Sequence, residues 1–197
     1  RLVQGDVGSG KTMVAAAASY VAFQNGYLSA LMAPTEILAQ QHYQGLSRLL
    51  EPLGMRLALL CGSMTAREKR DVRDRLALGM VDLIIGTHAL LSEGVDLPNL
   101  ALVITDEQHR FGVAQRATLS EKSDHPHTLV MSATPIPRTL ALMIYGDLDV
   151  SSIDELPPNR QPVKTYVISS QLKERAYNFL RDHLDRGLQG YIVCPLV

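Results

Sequence analysis

The sequence predicts an α/β protein with a central, mainly parallel sheet. Short apolar runs recur along its 197 residues, and helical patterns separate them. The runs are apolar at successive positions, as in strands that are buried on both faces. Hydrophobic residues make up 46% of the chain, which is enough for a large core.

Six runs are predicted as strands: RLVQ (1–4), LSALMA (28–33), MRLALL (55–60), VDLIIG (81–86), LALVIT (100–105) and HTLVMS (127–132). The first leads directly into a glycine-rich loop. We expect it to be a strand cut short at its start, in a chain that is a fragment.

The clearest helix begins at Thr65. Thr65 and Glu68 have the spacing of a capping box, Val72 and Leu76 share one face, and Gly79 can end the helix. Residues 67–75 are mostly charged, with basic residues in excess. We interpret them as a solvated face, with a DNA contact as the alternative.

A domain boundary is predicted at residues 153–162, where three prolines interrupt regular structure. Residues 1–152 form the first predicted domain. Residues 163–197 are too few for a core of their own, so we interpret them as the β-α-β start of a second domain. The predicted elements are a strand VKTYVI, a helix with Leu172, Ala176, Leu180 and Leu184 that Gly187 stops, and a strand YIVCPLV.

Composition narrows the function classes. The net charge of −1 gives no global basic field, so a nucleic acid would need a local patch. Cys61 and Cys194 have no metal-site spacing and are interpreted as ordinary buried thiols in a reducing compartment. No run approaches the ~20 apolar residues of a membrane span. We therefore expect a cytoplasmic protein.

The segment GDVGSGKT after the first strand matches a phosphate-binding loop. In such a loop the backbone N–H groups surround phosphate oxygens, Lys11 reaches the outer phosphates and Thr12 ligates Mg²⁺. The predicted ATP-binding residues are Gly5, Asp6, Val7, Gly8, Ser9, Gly10, Lys11 and Thr12.

An acidic pair ends the strand LALVIT. Asp106 is the expected second Mg²⁺ ligand, and Glu107 is placed to orient and deprotonate an attacking water. The alternative is that the pair only caps the next helix. The catalytic interpretation predicts that Lys11, Asp106 and Glu107 lie on adjoining strand ends around Mg²⁺ and ATP.

Six segments resemble the RecG family of superfamily 2 helicases, in that family's order. They are GDVGSGKT, MAPTEILAQQH, IGTHAL, DEQHRFGVAQR, MSATPIPRTLA and IDELPP. The Mfd translocases share several of them but have Gln in place of His109, and PriA is a more distant relative. Thr105 departs from the aliphatic residue usual in the family, and its hydroxyl can bond to backbone.

The resemblance implies a RecA-like motor with further site residues. Gln108 and His109 are expected to reach Ser132 and Thr134 on a neighbouring strand and so couple hydrolysis to movement. His109 could instead only start a helix. Phe111 is interpreted as a core anchor, with a base-stacking platform as the alternative. Segments that touch DNA in the family match Pro34, Thr35, Gln40, Gly86, Thr87 and His88, each of which could also serve a helix cap.

The expected function is that of a monomeric, nucleoid-associated ATPase that remodels branched or duplex DNA, such as stalled forks and Holliday junctions, in repair and recombination. The alternatives are an Mfd-like translocase, a nucleotide-gated DNA-binding module without motor activity, and a metabolite kinase. The family's adenine-reading segment would precede Arg1, and its arginine fingers would follow Val197. The fragment alone is therefore expected to be nearly inactive.

Overall fold

The computed structural model describes residues 1–92, 94–106, 126–133, 148–155 and 163–194. The chain divides into two compact units, Arg1–Pro158 and Asn159–Val197. The division falls within the segment predicted as a linker, and the assignment of two domains stays a prediction. Within the described ranges, no helix is long and apolar enough to cross a membrane.

The first unit is built on a parallel sheet, as predicted. Its seven described strands are β1 (Leu2–Gly5), β2 (Leu28–Met32), β3 (Leu57–Leu60), β4 (Leu83–Gly86), β5 (Leu100–Asp106), β6 (His127–Ser132) and β7 (Val150–Ile153). They are ordered β3-β4-β2-β5-β6-β1-β7, and every neighbouring pair is parallel. All six predicted strands are confirmed, whereas β7 was not predicted.

Three described helices connect these strands: α1 (Lys11–Gln24), α2 (Glu36–Leu50) and α3 (Ala66–Ala77). The hydroxyl of Thr35 caps α2 by accepting from the N–H of Leu38 at 3.3 Å. The capping box at the start of α3 is confirmed, because Thr65 and Glu68 bond to each other's backbone N–H.

The core lies on both faces of the sheet. In β4, Leu83 and Ile85 belong to one cluster of buried side chains, while Ile84 between them belongs to another. Such alternation means that both faces of the strand are covered. Helices α1 and α2 contribute Ala15 and Leu46 to the first cluster, and α3 contributes to the second.

The register brings three strand ends to one edge. Asp106 of β5 pairs with Met131 of β6, and Ser132 of β6 pairs with Gln4 of β1. Because all the strands are parallel, their carboxyl ends share this edge, which is where ligands bind in open α/β sheets.

The second unit contains one described helix of more than one turn, α4 (Lys173–Asp185), as predicted. Gly187 follows it at a φ of 79°. The described parts of the two predicted strands form no ladder: residues 163–169, before the helix turn at Ser170, and residues 188–194 have no strand partner. A strand exists only when a neighbouring strand takes up its backbone hydrogen bonds, and no strand is described in this unit.

Candidate functional site

The loop after β1 has the backbone of a phosphate cradle. Gly10 has a φ of 95°, a left-handed conformation that side chains disfavour. At Gly5 a Cβ would lie 2.6 Å from the Ser9 hydroxyl and 3.0 Å from Cβ of Ile153 in β7. A side chain at position 5 would therefore force Ser9 to turn and Ile153 to shift, and the backbone at position 10 has a conformation that favours glycine.

Lys11 lies inside this loop. Its Nζ donates to the carbonyl of Gly5 at 2.7 Å and to that of Asp6 at 2.8 Å. The Asp6 carboxylate in turn accepts from the N–H of Val7 at 2.7 Å. The amine is thus held by the backbone that surrounds it, without a carboxylate partner among these bonds.

Helix α1 begins at Lys11, and it has neither a side-chain cap nor an acidic residue in its first turn. The first N–H groups of a helix and its dipole attract anions. Thr12, the second residue of α1, is half-buried beside them. The site therefore offers four features that fit the phosphates of a magnesium nucleotide. They are the glycine-rich loop, the amine of Lys11, the uncapped start of α1 and the hydroxyl of Thr12.

Asp106 and Ser132 lie at the same edge as the loop, but the prediction of adjoining strand ends is wrong. Strand β6 lies between β5, which ends in Asp106, and β1, which leads to Lys11. Two strand spacings separate β5 from β1, which is roughly 10 Å. The predicted neighbourhood of Ser132 and the acidic strand is confirmed, since β6 pairs with β5.

The Asp106 carboxylate has a partner that the sequence did not predict. Its Oδ2 lies 2.7 Å from Nε2 of His42 in α2, and the two side chains are only 13% and 12% exposed. His42 ends the quoted segment MAPTEILAQQH, but nothing in that segment shows which strand it faces.

A cavity of about 430 Å³ adjoins the phosphate loop. Its described lining includes Gly5 and Asp6 of the loop, Ala133 after β6, and Ser152 and Asp154 at the end of β7. The sequence patterns did not place Ser152 or Asp154 beside this loop, because they did not predict β7, although Asp154 belongs to the segment IDELPP.

The side chains assigned to DNA differ in exposure. Gln40 and His88 are exposed, and Pro34 is half-buried. Thr87 is only 2% exposed, and its hydroxyl has no hydrogen-bond partner among the described residues. The cap alternative is realised for Thr35, whose hydroxyl bonds to α2.

Gly86 has a packing role. A Cβ there would collide with the backbone carbonyl of Leu60 in the neighbouring strand β3. The DNA roles of these six residues stay predictions. The other assigned positions, Glu107, Gln108, His109 and Thr134, lie outside the described residues, as does Phe111.

The start of α2 is bonded to the loop after β3 through Glu36. Oε1 of Glu36 accepts from the N–H of Ser63 at 2.8 Å, and hydrogen bonds from Ser63 lower the pKa of this carboxyl.

Burial, with a contribution from Glu36, raises the pKa of the Cys61 thiol. Cys61 is buried as predicted, whereas Cys194 is exposed, because its segment packs into no described core.

Thr105 lies next to Asp106 in β5. Its hydroxyl, which could have bonded to backbone, is buried and has no hydrogen-bond partner among the described residues. Thr105 pairs with Met32 of β2 on one side and Val130 of β6 on the other.

Residues 1–143 match the DEAD/DEAH box helicase family. The chain belongs to this family. Over its full length it is 52% identical to the ATP-dependent DNA helicase RecG of Synechocystis, of which it covers 24%, and 50% identical to RecG of Bacillus subtilis, of which it covers 29%. The chain thus spans about a quarter of the length of these relatives.

A solved structure of RecG bound to a three-way DNA junction resembles the whole chain, with a TM-score of 0.83 and 46% identity, and the chain covers 26% of it. The DNA-bound helicase MrfA is 18% identical with a TM-score of 0.60, so it shows the fold alone. The predicted RecA-like helicase fold and the resemblance to RecG are both confirmed.

Proposed function

We propose that the intact protein hydrolyses ATP at this edge of the sheet and uses the energy to move on and remodel branched DNA, including stalled forks and Holliday junctions. The observation that carries this proposal is the shared edge, where the loop around Lys11 and the carboxylate of Asp106 flank the end of β6. Support for the DNA substrate comes from the relatives, which are DNA helicases, one of them bound to a three-way junction.

In this proposal the loop and the start of α1 bind the phosphates, and Lys11 offsets their charge. Thr12 and Asp106 would hold Mg²⁺, which neutralises charge that develops on the phosphate oxygens. Glu107 accepts the proton of a water that attacks the γ-phosphorus while the bond to the bridging oxygen breaks. The products are ADP and inorganic phosphate.

Coupling to DNA is proposed to run through the neighbouring strand. Gln108 and His109 would reach Ser132 and Thr134 when the γ-phosphate is present, and this link would change on hydrolysis. Segments 34–40 and 86–88 would contact the DNA backbone, since helix starts and hydroxyls suit phosphates. Residues 1–152 form the nucleotide domain, 153–162 a linker and 163–197 the start of a second RecA-like domain. The motor acts as a monomer at the bacterial nucleoid, in the cytoplasm.

The test is ATP turnover by the intact protein with and without a three-way DNA junction. We expect junction DNA to stimulate turnover. Lys11→Ala and Glu107→Gln should each lower it by about 10²-fold or more, the loss typical of removing one group that stabilises a transition state. Lys173→Ala, which removes an exposed lysine on α4, is the matched control and should leave turnover unchanged.

Equal turnover in all four proteins, or turnover that DNA does not change, would contradict the proposal. ATP-sensitive DNA binding without turnover would indicate the nucleotide-gated binding module instead. Phosphorylation of a small acceptor would indicate a kinase.

A further inference from the structure

The contact between His42 and Asp106 joins two parts of the fold that the proposed function treats separately. Asp106 ends β5 at the nucleotide edge, whereas His42 lies on α2, whose first residues belong to the segment 34–40 assigned to DNA. Nε2 of His42 and Oδ2 of Asp106 are 2.7 Å apart, and both side chains are largely buried. Because an ionised carboxylate can only accept, Nε2 must carry the hydrogen.

Helix α2 is itself held in place near this contact. Glu36 in its first turn accepts a hydrogen bond from Ser63 in the loop after β3. His42 lies six residues further on, about 9 Å along the axis. The first two turns of α2 therefore bridge the carboxyl edge from the loop after β3 to the end of β5, which fixes the imidazole relative to the sheet.

Stability alone is a poor explanation of the pair. Burying two polar, ionisable groups costs desolvation that their attraction offsets only in part, so buried pairs are weak evidence for stabilisation. The pair engages Oδ2 of Asp106, and among the described residues Oδ1 has no hydrogen bond, so it is open to another ligand. Side chains that bind metals are commonly oriented by such a hydrogen bond, and its loss typically costs about 10–100-fold in metal affinity or activity.

We propose that His42 is a positioning residue: through Nε2 it holds the Asp106 carboxylate in one orientation, so that the other oxygen can serve the Mg²⁺ of the bound nucleotide. The inference rests on the proposed function, because it takes Asp106 as a ligand of that metal. It assigns a nucleotide-site role to a residue of α2, the helix that also carries the exposed Gln40.

The experiment measures Mn²⁺ affinity of the intact protein with a non-hydrolysable ATP analogue, from the electron paramagnetic resonance signal of free Mn²⁺. His42→Leu and His42→Ala both remove the donor, the first while keeping bulk. His42→Gln keeps an N–H donor at a similar distance. Gln44→Ala, an exposed position on the same helix, is the control. Thermal unfolding of each variant is recorded beside the affinity.

We expect His42→Leu and His42→Ala to raise the Mn²⁺ dissociation constant by about 10–100-fold. His42→Gln should stay within about threefold of the wild type, since its amide can donate to the same carboxylate oxygen. Unchanged affinity in a folded His42→Leu or His42→Ala variant would overturn the inference. So would an equal loss in His42→Gln, because packing rather than the hydrogen bond would then be the cause.

Asp106→Asn separates this failure from failure of the proposed function. If Asp106→Asn weakens Mn²⁺ binding while the two donor-free variants do not, the metal site stands and only the role of His42 is wrong. If Asp106→Asn binds Mn²⁺ like the wild type, the proposed metal site itself is wrong, and the inference fails with it.

Discussion

Substitution of Gly86 by alanine distinguishes a packing role from a DNA role at this position. Gly86 pairs with Leu60 of β3 and ends β4. A Cβ would overlap the Leu60 carbonyl and lie 3.0 Å from Cγ of Leu90. The first neighbour is backbone in a paired strand and cannot rotate away, so relief of the overlap requires a shift of the β3–β4 ladder.

Overpacking of this kind costs about 1–3 kcal/mol, and a collision with backbone belongs at the upper end. Gly45→Ala is the matched control, because no described atom outside the helix's own backbone lies within 4 Å of a Cβ at this position. Alanine is preferred over glycine inside a helix, and Gly45 lies within α2, so this variant should gain about 0.5–1 kcal/mol.

The assay is urea unfolding of both variants in the intact protein, with affinity for a three-way DNA junction measured under native conditions. We expect Gly86→Ala to shift the transition of this unit to lower urea, and Gly45→Ala to shift it slightly higher. A Gly86→Ala variant of wild-type stability that binds DNA weakly would refute the packing argument. The glycine would then serve close approach of the DNA backbone.

Three further predictions follow from local contacts. Gly10→Ala should weaken nucleotide binding, measured with a fluorescent ATP analogue, because alanine at a φ of 95° is strained by about 1–2 kcal/mol or more. Glu36→Gln should make the free energy of unfolding fall less steeply as the pH decreases. Hydrogen bonds from Ser63 hold the pKa of Glu36 below its ordinary value of 4.5. The ionised carboxylate therefore stabilises the folded state above that pH, and this stabilisation is lost as the pH falls through the folded-state pKa. In urea unfolding, Asp82→Ala should lower the free energy of unfolding by about 1–3 kcal/mol more than Arg56→Ala does. The reason is that the buried carboxylate of Asp82 accepts a hydrogen bond from the Arg56 backbone N–H at 2.7 Å, in addition to its ion pair with the Arg56 side chain. Equal losses in the two variants would contradict this.

Local patterns were sufficient for most of the fold. The six apolar runs are strands because burial on both faces demands continuous apolar sequence, and β5 shows this from Leu100 to Ile104. Strand β7 contains two serines between Val150 and Ile153, and it pairs only with β1 at the edge of the described sheet. None of its four residues is buried, so no apolar run marks it, whereas β3 at the other edge is mostly buried and apolar.

The site was predictable where residues are close in sequence, as in the loop around Lys11. Contacts that depend on strand order or helix placement were not. The position of β6 between β5 and β1 is a property of the topology. For this reason the prediction that the ends of β1 and β5 adjoin was wrong. The contact of His42 with Asp106 spans 64 positions and follows from how α2 crosses the sheet edge.

The most direct test of the account is a crystal structure of the intact protein with a non-hydrolysable ATP analogue and Mn²⁺, with the metal located by its anomalous scattering. We predict phosphates on the loop around Lys11 and the metal between the hydroxyl of Thr12 and the carboxylate of Asp106, bound directly or through water. A nucleotide bound away from this loop, or a metal remote from Asp106, would contradict the account.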